Sequence, residues 1–285
     1  VGAKNSLGEN LLDDFKNVGL IHIVVLSGYN ITIVIYCVLL LTSKIERRSL
    51  KFFIAGSVAT LFVLMVGLGA TVLRASIMAA IAILAKYYGR ESDALRALFI
   101  AGLVMLLWNP LTLISDPSFQ LSFMATLGLI LFSPIVGNYI SKQKIISKIL
   151  PTKWQIREIA SSTIAVQLFL LPILVRMSGS FSLVSFFVNI LVLPVIPNLM
   201  LFGFLTGILG FAPIIGGVLS WIPGSLSYII SEYVIRVTEI GSSIPLATIK
   251  TGGVPLLFVL LWYLGAAFVY RMFINNPEDP ARLKK

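Results

Sequence analysis

Val18-Gly-Leu-Ile-His-Ile-Val-Val-Leu-Ser-Gly-Tyr-Asn-Ile-Thr-Ile-Val34 sets the chain's only histidine, a Ser-Gly pair and an asparagine inside an apolar run long enough to cross a bilayer. Polar groups at that depth cost free energy if they face lipid, so His22, Ser27 and Asn30 are expected to face a protein interior or a watery path. Gly28 lets backbone carbonyls open toward such a path, where irregular backbone is tolerated. The stretch reads as a membrane span and as the first place to seek the activity.

Comparable runs recur. Charge-free segments near the bilayer length of about 20 residues fill Phe52 to Leu73, Ala97 to Ser115, Pro117 to Ser141 and Thr251 to Tyr270, with a shorter one at Ile159 to Val175. No charge lies between Arg176 and Glu232, which leaves room for two spans and their turn. The chain is 58% hydrophobic and 12% charged, with a mean hydropathy of +0.97. Soluble domains carry roughly 25% charge, so the expected fold class is an all-α polytopic membrane protein. Barrel strands are excluded because they read as weak alternation. The expected architecture has about eight or nine spans, some broken by Pro and Gly. A short N-terminal amphipathic helix and an interfacial amphipathic helix near 225–240 complete it. In domain terms, an amphipathic helix over 1–18 leads into a transmembrane domain over 19–273, followed by a basic cytoplasmic tail over 274–285.

The net charge of +10 raises the possibility of a nucleic-acid surface, but the basic residues cluster in short loops beside spans. Lys44, Arg47, Arg48 and Lys51 form one such group, and Lys142, Lys144, Lys148, Lys153 and Arg157 another. Positive-inside topology accounts for this pattern and places these loops in the cytoplasm. Hairpin turns are then expected outside at Gly67 to Thr71, Asn109 to Asp116 and Met177 to Ser182. The single cysteine, Cys37, allows no intrachain disulfide. The chain begins at Val1 and reads as an excised piece of a longer protein, without a signal peptide before the first span.

Two segments are amphipathic. Leu7, Leu11, Leu12 and Phe15 recur at helical spacing over Ser6 to Asn17, predicting a surface helix. Glu232, Arg236 and Glu239 share one face over Ser225 to Ile240, which is expected to lie in the membrane surface so that the last span, near Val254 to Tyr270, leaves its basic tail in the cytoplasm.

Templates for catalysis fail. One histidine cannot build a zinc site, there is no phosphate-cradling Gly-x-x-x-x-Gly-Lys-Ser/Thr loop, and Ser27 lies roughly 140° around a helix from His22. No enzyme activity, cofactor or metal is expected. Polar residues inside apolar helices remain. His22, Ser27 and Asn30 fall in one broad helical sector and either line a path or tie helices together, at about 0.6–2 kcal/mol per bond. Arg74 would cost about 2.5–3.5 kcal/mol at the membrane centre; near the outer end of its span it either snorkels or offers a guanidinium fork to a phosphate. Asp116-Pro117 reads as an N-cap followed by proline at the first helical position. Gln120 and Ser122 follow just inside, and Gln167 and Asn189 are further amides in apolar segments, near Pro172 and Pro194. Prolines and glycines in the later spans are compatible both with a transport path and with the general tolerance of membrane helices for these residues.

These residues resemble the competence domain of the ComEC family of polytopic membrane proteins. Gly19-Leu20-Ile21-His22 through Ser27-Gly28-Tyr29-Asn30-Ile31 matches one family pattern, Leu73-Arg74-Ala75 a second, and Asn109 to Thr126, containing Asp116-Pro-Ser-Phe-Gln-Leu-Ser-Phe123, a third. Gln167 to Pro172 and Asn189 to Pro194 match two more. The resemblance implies a channel of the bacterial cytoplasmic (inner) membrane that passes single-stranded DNA inward during natural transformation. It also implies membrane lipid, a cytoplasmic ATP-driven motor and a DNA receptor as partners. The family's upstream oligonucleotide-binding-type domain and its metallo-β-lactamase-like domain lie outside this sequence. A secondary transporter of a small solute, using the same broken helices, and a non-conducting scaffold of an uptake complex are the alternative readings.

Overall fold

Glycines, prolines and side-chain caps divide the apolar runs into helices. The computed structural model describes residues 8–24, 31, 34–35, 38–39, 42–67, 69–143, 156–211, 216–245 and 247–275. Within these, the helices are α1 (Glu9–Asn17), α2 (Ile21–Val24), α3 (Arg48–Val66), α4 (Ala70–Tyr87), α5 (Ala94–Trp108), α6 (Thr112–Ser115), α7 (Pro117–Lys142), α8 (Ile156–Ser178), α9 (Ser185–Val192), α10 (Ile196–Gly210), α11 (Gly216–Ser243) and α12 (Leu256–Asn275). Strands β1 (Ser180–Ser182) and β2 (Thr248–Lys250) pair antiparallel, with Phe181 opposite Ile249.

Six helices among the described residues are long and apolar enough to cross a membrane: α4, α7, α8, the Ser185–Gly210 segment, α11, and Leu256–Phe273 of α12. Shorter apolar helices fill Ser49–Met65 and Ala94–Trp108. The protein is an all-α membrane protein apart from its three-residue ribbon, which the sequence reading did not include.

By its contacts the chain divides into two units, one of residues 1–3, 22–132 and 166–173, the other of residues 4–21, 133–165 and 174–285. In the first unit, α3 and α4 form a hairpin that turns at the glycines 67 and 69, as the sequence indicated. Its core gathers Ile31, Ile35, Val63, Val72 and Ala75, with Phe62, Ala79 and Ile83 packed on. The next helix, α5, starts where Asp93 Oδ1 accepts from the amides of Leu95 and Arg96, at 2.9 and 3.2 Å. It packs on α7 because Gly102 has no side chain: a Cβ there would lie 2.8 Å from Cε2 of Phe123. Phe123 in turn stacks on Phe119 at 5.7 Å between ring centres.

In the second unit α10 and α11 form the most extensive helix pair. The Ser185–Gly210 segment is helical throughout, with a single 3₁₀ turn at Leu193–Val195, where Pro194 removes an amide donor. Helix α1 ends on Gly19 at φ 73°, with Leu20 N donating to Phe15 O and Gly19 N to Lys16 O. This double bond pattern satisfies the last carbonyls and folds Leu20 back beside Phe15. Phe15, Val18 and Leu20 are buried.

The amphipathic α1 packs on α11, where Asn17 reaches Ser242, and on β2, where the Thr248 hydroxyl donates to Asn17 O at 3.0 Å. One expectation changes. The segment 225–240 is not a separate helix but the later part of α11, 28 residues long with Pro223 inside it. Its charged face is present, with Arg236 Nε 2.8 Å from Glu232 Oε1. A helix that long is able to span, which the charge pattern alone did not reveal.

Candidate functional site

In the first unit, α4 presents Arg74 one turn from its start at Ala70. The neighbours on this helix, Val72 and Ala75, belong to the apolar core, so Arg74 is carried into a low-dielectric setting with only 8% of its surface exposed. Its Nε is buried with no hydrogen-bond partner. A buried donor left unmade costs the full desolvation of that group, and a charged one costs more. Among the described residues of this unit, Arg74 is the one charged side chain that is buried, with an Nε that makes no hydrogen bond, and it is the group best suited to meet an anion.

The same unit holds other sequence candidates. His22 is exposed on α2. Ser27, Gly28 and Asn30 lie outside the described residues. Ser122 is buried on α7, where its carbonyl accepts from the Thr126 hydroxyl at 3.0 Å. Gln167 is half-buried on α8. That helix packs closely on α7 because a Cβ at Gly128 would fall 2.7 Å from Cβ of Phe169. Arg74, Ser122 and Gln167 thus share one unit.

Asp116 and Gln120 are used locally. Asp116 Oδ1 accepts from Ser118 N at 2.8 Å and Phe119 N at 3.3 Å, the N-cap read from the sequence. Gln120 Nε2 donates to the carbonyls of Leu113 and Ile114, at 2.9 and 3.1 Å.

Asn189 belongs to the second unit. It is 5% exposed, its Nδ2 donates to Ser185 Oγ at 3.3 Å, and its Oδ1 is buried without a partner. Ser182 Oγ is a second such atom. Ser185, itself buried, was missed by the sequence reading; its signal was the i, i+4 spacing to Asn189 on an otherwise apolar helix. A Cβ at Gly19 would lie 2.5 Å from Ser185 Oγ, which ties this cluster to the end of α1.

The competence protein family matches residues 1–274. The ComE operon protein 3 of Bacillus subtilis (strain 168) is 26% identical over 213 residues, covering 73% of this chain and 25% of that protein. The chain thus spans about a quarter of the length of that relative. No solved structure matches. With nearly its whole length inside the family match and its helices sized for a bilayer, the chain belongs to the competence protein family and is a multi-pass protein of the cytoplasmic membrane.

Proposed function

We propose that this domain forms the passage by which a single DNA strand crosses the cytoplasmic membrane during natural transformation. The family match over residues 1–274 carries the reading. The buried Arg74, whose Nε makes no hydrogen bond, supports it, because a guanidinium fork binds phosphate oxygens and a DNA strand presents one phosphate per nucleotide. His22, Ser27, Gly28, Asn30, Ser122, Gln167 and Asn189 are proposed to line or shape the path, with Asp116 and Gln120 holding the helix connection beside it. Few fixed cations suit conduction, which requires a strand to leave as readily as it arrives.

The passage has no nucleotide loop of its own, so a cytoplasmic ATP-driven motor pulls the strand and a receptor delivers it. The reading assigns transport, not catalysis, to this region. The six long helices, the shorter pair at Ser49–Met65 and Ala94–Trp108, and the 18–41 stretch give the proposed count of about eight or nine spans. In that count α11 crosses the membrane.

The test restores this segment to its full-length protein in a transformable host and replaces Arg74 by alanine. Labelled DNA protected in the cytoplasm is measured with protein level and surface binding as controls. Loss of internalisation with binding intact supports the passage. Unchanged internalisation removes Arg74 from it, and gradient-coupled uptake of a small solute would replace the reading.

A further inference from the structure

We propose that the connection between α5 and α7, residues 109–115, is an elbow immersed in lipid acyl chains and not a loop in water, with Asp116 at its rim capping α7. Four observations lead there, and none depends on the DNA reading.

The first is length. Helix α5 has 15 residues, about 22 Å at 1.5 Å per residue, against a hydrocarbon core of about 30 Å. With Asp93 and Arg96 at one interface, α5 crosses most of the core but ends at Trp108 short of its far side, so that the crossing is completed by the elbow, and any tilt shortens the reach further. The second is charge: between Arg96 and Asp116 there is none.

The third is the surface. Leu107, Trp108, Leu111, Leu113 and Ile114 are all exposed, Trp108 at 91% and Ile114 at 81%. Five large apolar side chains on one short turn form a patch that demands cover.

The fourth is decisive. Backbone outside a helix survives at membrane depth only if its polar groups are satisfied without water. Here every amide from Asn109 to Gln120 donates within the elbow or its adjoining helices. Asn109 N goes to Met105 O, Leu111 N to Asn109 Oδ1, Thr112 N to Asn109 O, and Leu113 N to Pro110 O. Ile114 N and Ser115 N go to Leu111 O, Asp116 N to Thr112 O, Ser118 N and Phe119 N to Asp116 Oδ1, and Gln120 N to Asp116 O. Residues 110 and 117 are proline and have no amide to satisfy. The carbonyls left open at the end of α6, those of Leu113 and Ile114, are closed by the Gln120 amide. A solvent loop leaves such amides to water; here every one of them donates internally, and the outside is apolar. Gln120 is thereby a positioning residue that keeps the elbow dry.

The test keeps Trp108 as the sole tryptophan by replacing Trp154, Trp221 and Trp262 with phenylalanine in the full chain, reconstituted in phosphatidylcholine nanodiscs. Trp108 fluorescence is then quenched either by nitroxide on the lipid acyl chains or by aqueous iodide. The expected result is blue-shifted emission, quenched several-fold more by the nitroxide. Quenching by iodide as for free indole overturns the proposal, and so does resistance to both quenchers, which would mean that protein covers the patch. Independently, Ile114→Cys in a Cys37→Ser chain is expected to resist a charged maleimide in nanodiscs and to react once unfolded in dodecyl sulfate. Rapid labelling in nanodiscs overturns it. Gln120→Leu is expected to raise iodide access to Trp108 several-fold by letting water reach the open carbonyls, and unchanged access would refute the role given to Gln120.

Discussion

Arg74 is a destabilising residue in this fold, since its guanidinium lies among the core residues of α4 with an unpaired Nε. Removing the charge relieves a cost of about 2.5–3.5 kcal/mol at most. Arg74→Met is therefore expected to raise the melting temperature in detergent while lowering DNA internalisation about tenfold or more, the equivalent of some 1.4 kcal/mol. Parallel loss of stability and internalisation would make Arg74 structural. Gly19→Ala works in the opposite direction. A φ of 73° and a Cβ contact of 2.5 Å with Ser185 Oγ are expected to cost about 1–3 kcal/mol, read as a drop in melting temperature. Adding Ser185→Gly should recover the part due to collision but not the part due to backbone strain. At this scale the sequence left open whether Arg74 snorkels or enters the core, because its burial and the lack of a partner for its Nε depend on residues distant in the chain.

At the scale of elements, caps and close approaches decide the helices. Asp116→Ala is expected to cost about 1 kcal/mol by uncapping α7, whereas Asp116→Asn retains the cap and with it DNA internalisation. Loss in the asparagine variant would show that the carboxylate charge itself is needed. The α5 and α7 pair should be sensitive at Gly102, where an alanine meets the Phe123 ring at 2.8 Å. Gly102→Ala is expected to lower the melting temperature, and Phe123→Leu to relieve it in the double variant; if the double variant is no better, the pair is not held by this contact. The Gly67 to Thr71 hairpin and the Asp116-Pro117 helix start were legible because their signals are local. The full extent of α11 was not, since the charged face marks only 225–240 and the charge-free turns before it, Pro223 included, continue the same helix. The ribbon was equally hidden, because strands of three residues, Ser180–Ser182 and Thr248–Lys250, leave no periodicity to detect.

Across the whole molecule, apolar length and sparse charge were enough to establish a multi-pass helical protein, because the bilayer imposes its thickness on every span. The division into two units was not legible. It interleaves distant segments, and residues 166–173 of α8 join the first unit while the rest of that helix belongs to the second. The central claim, that a DNA strand passes through this domain, is tested most directly by placing a photo-crosslinking residue at Gln167 of the full-length protein, with Leu264, exposed on α12, as the control. Irradiation during transformation should yield a covalent adduct between labelled single strand and position 167 and none at position 264. Continued internalisation with no adduct at 167, or equal adducts at both positions, would contradict the passage.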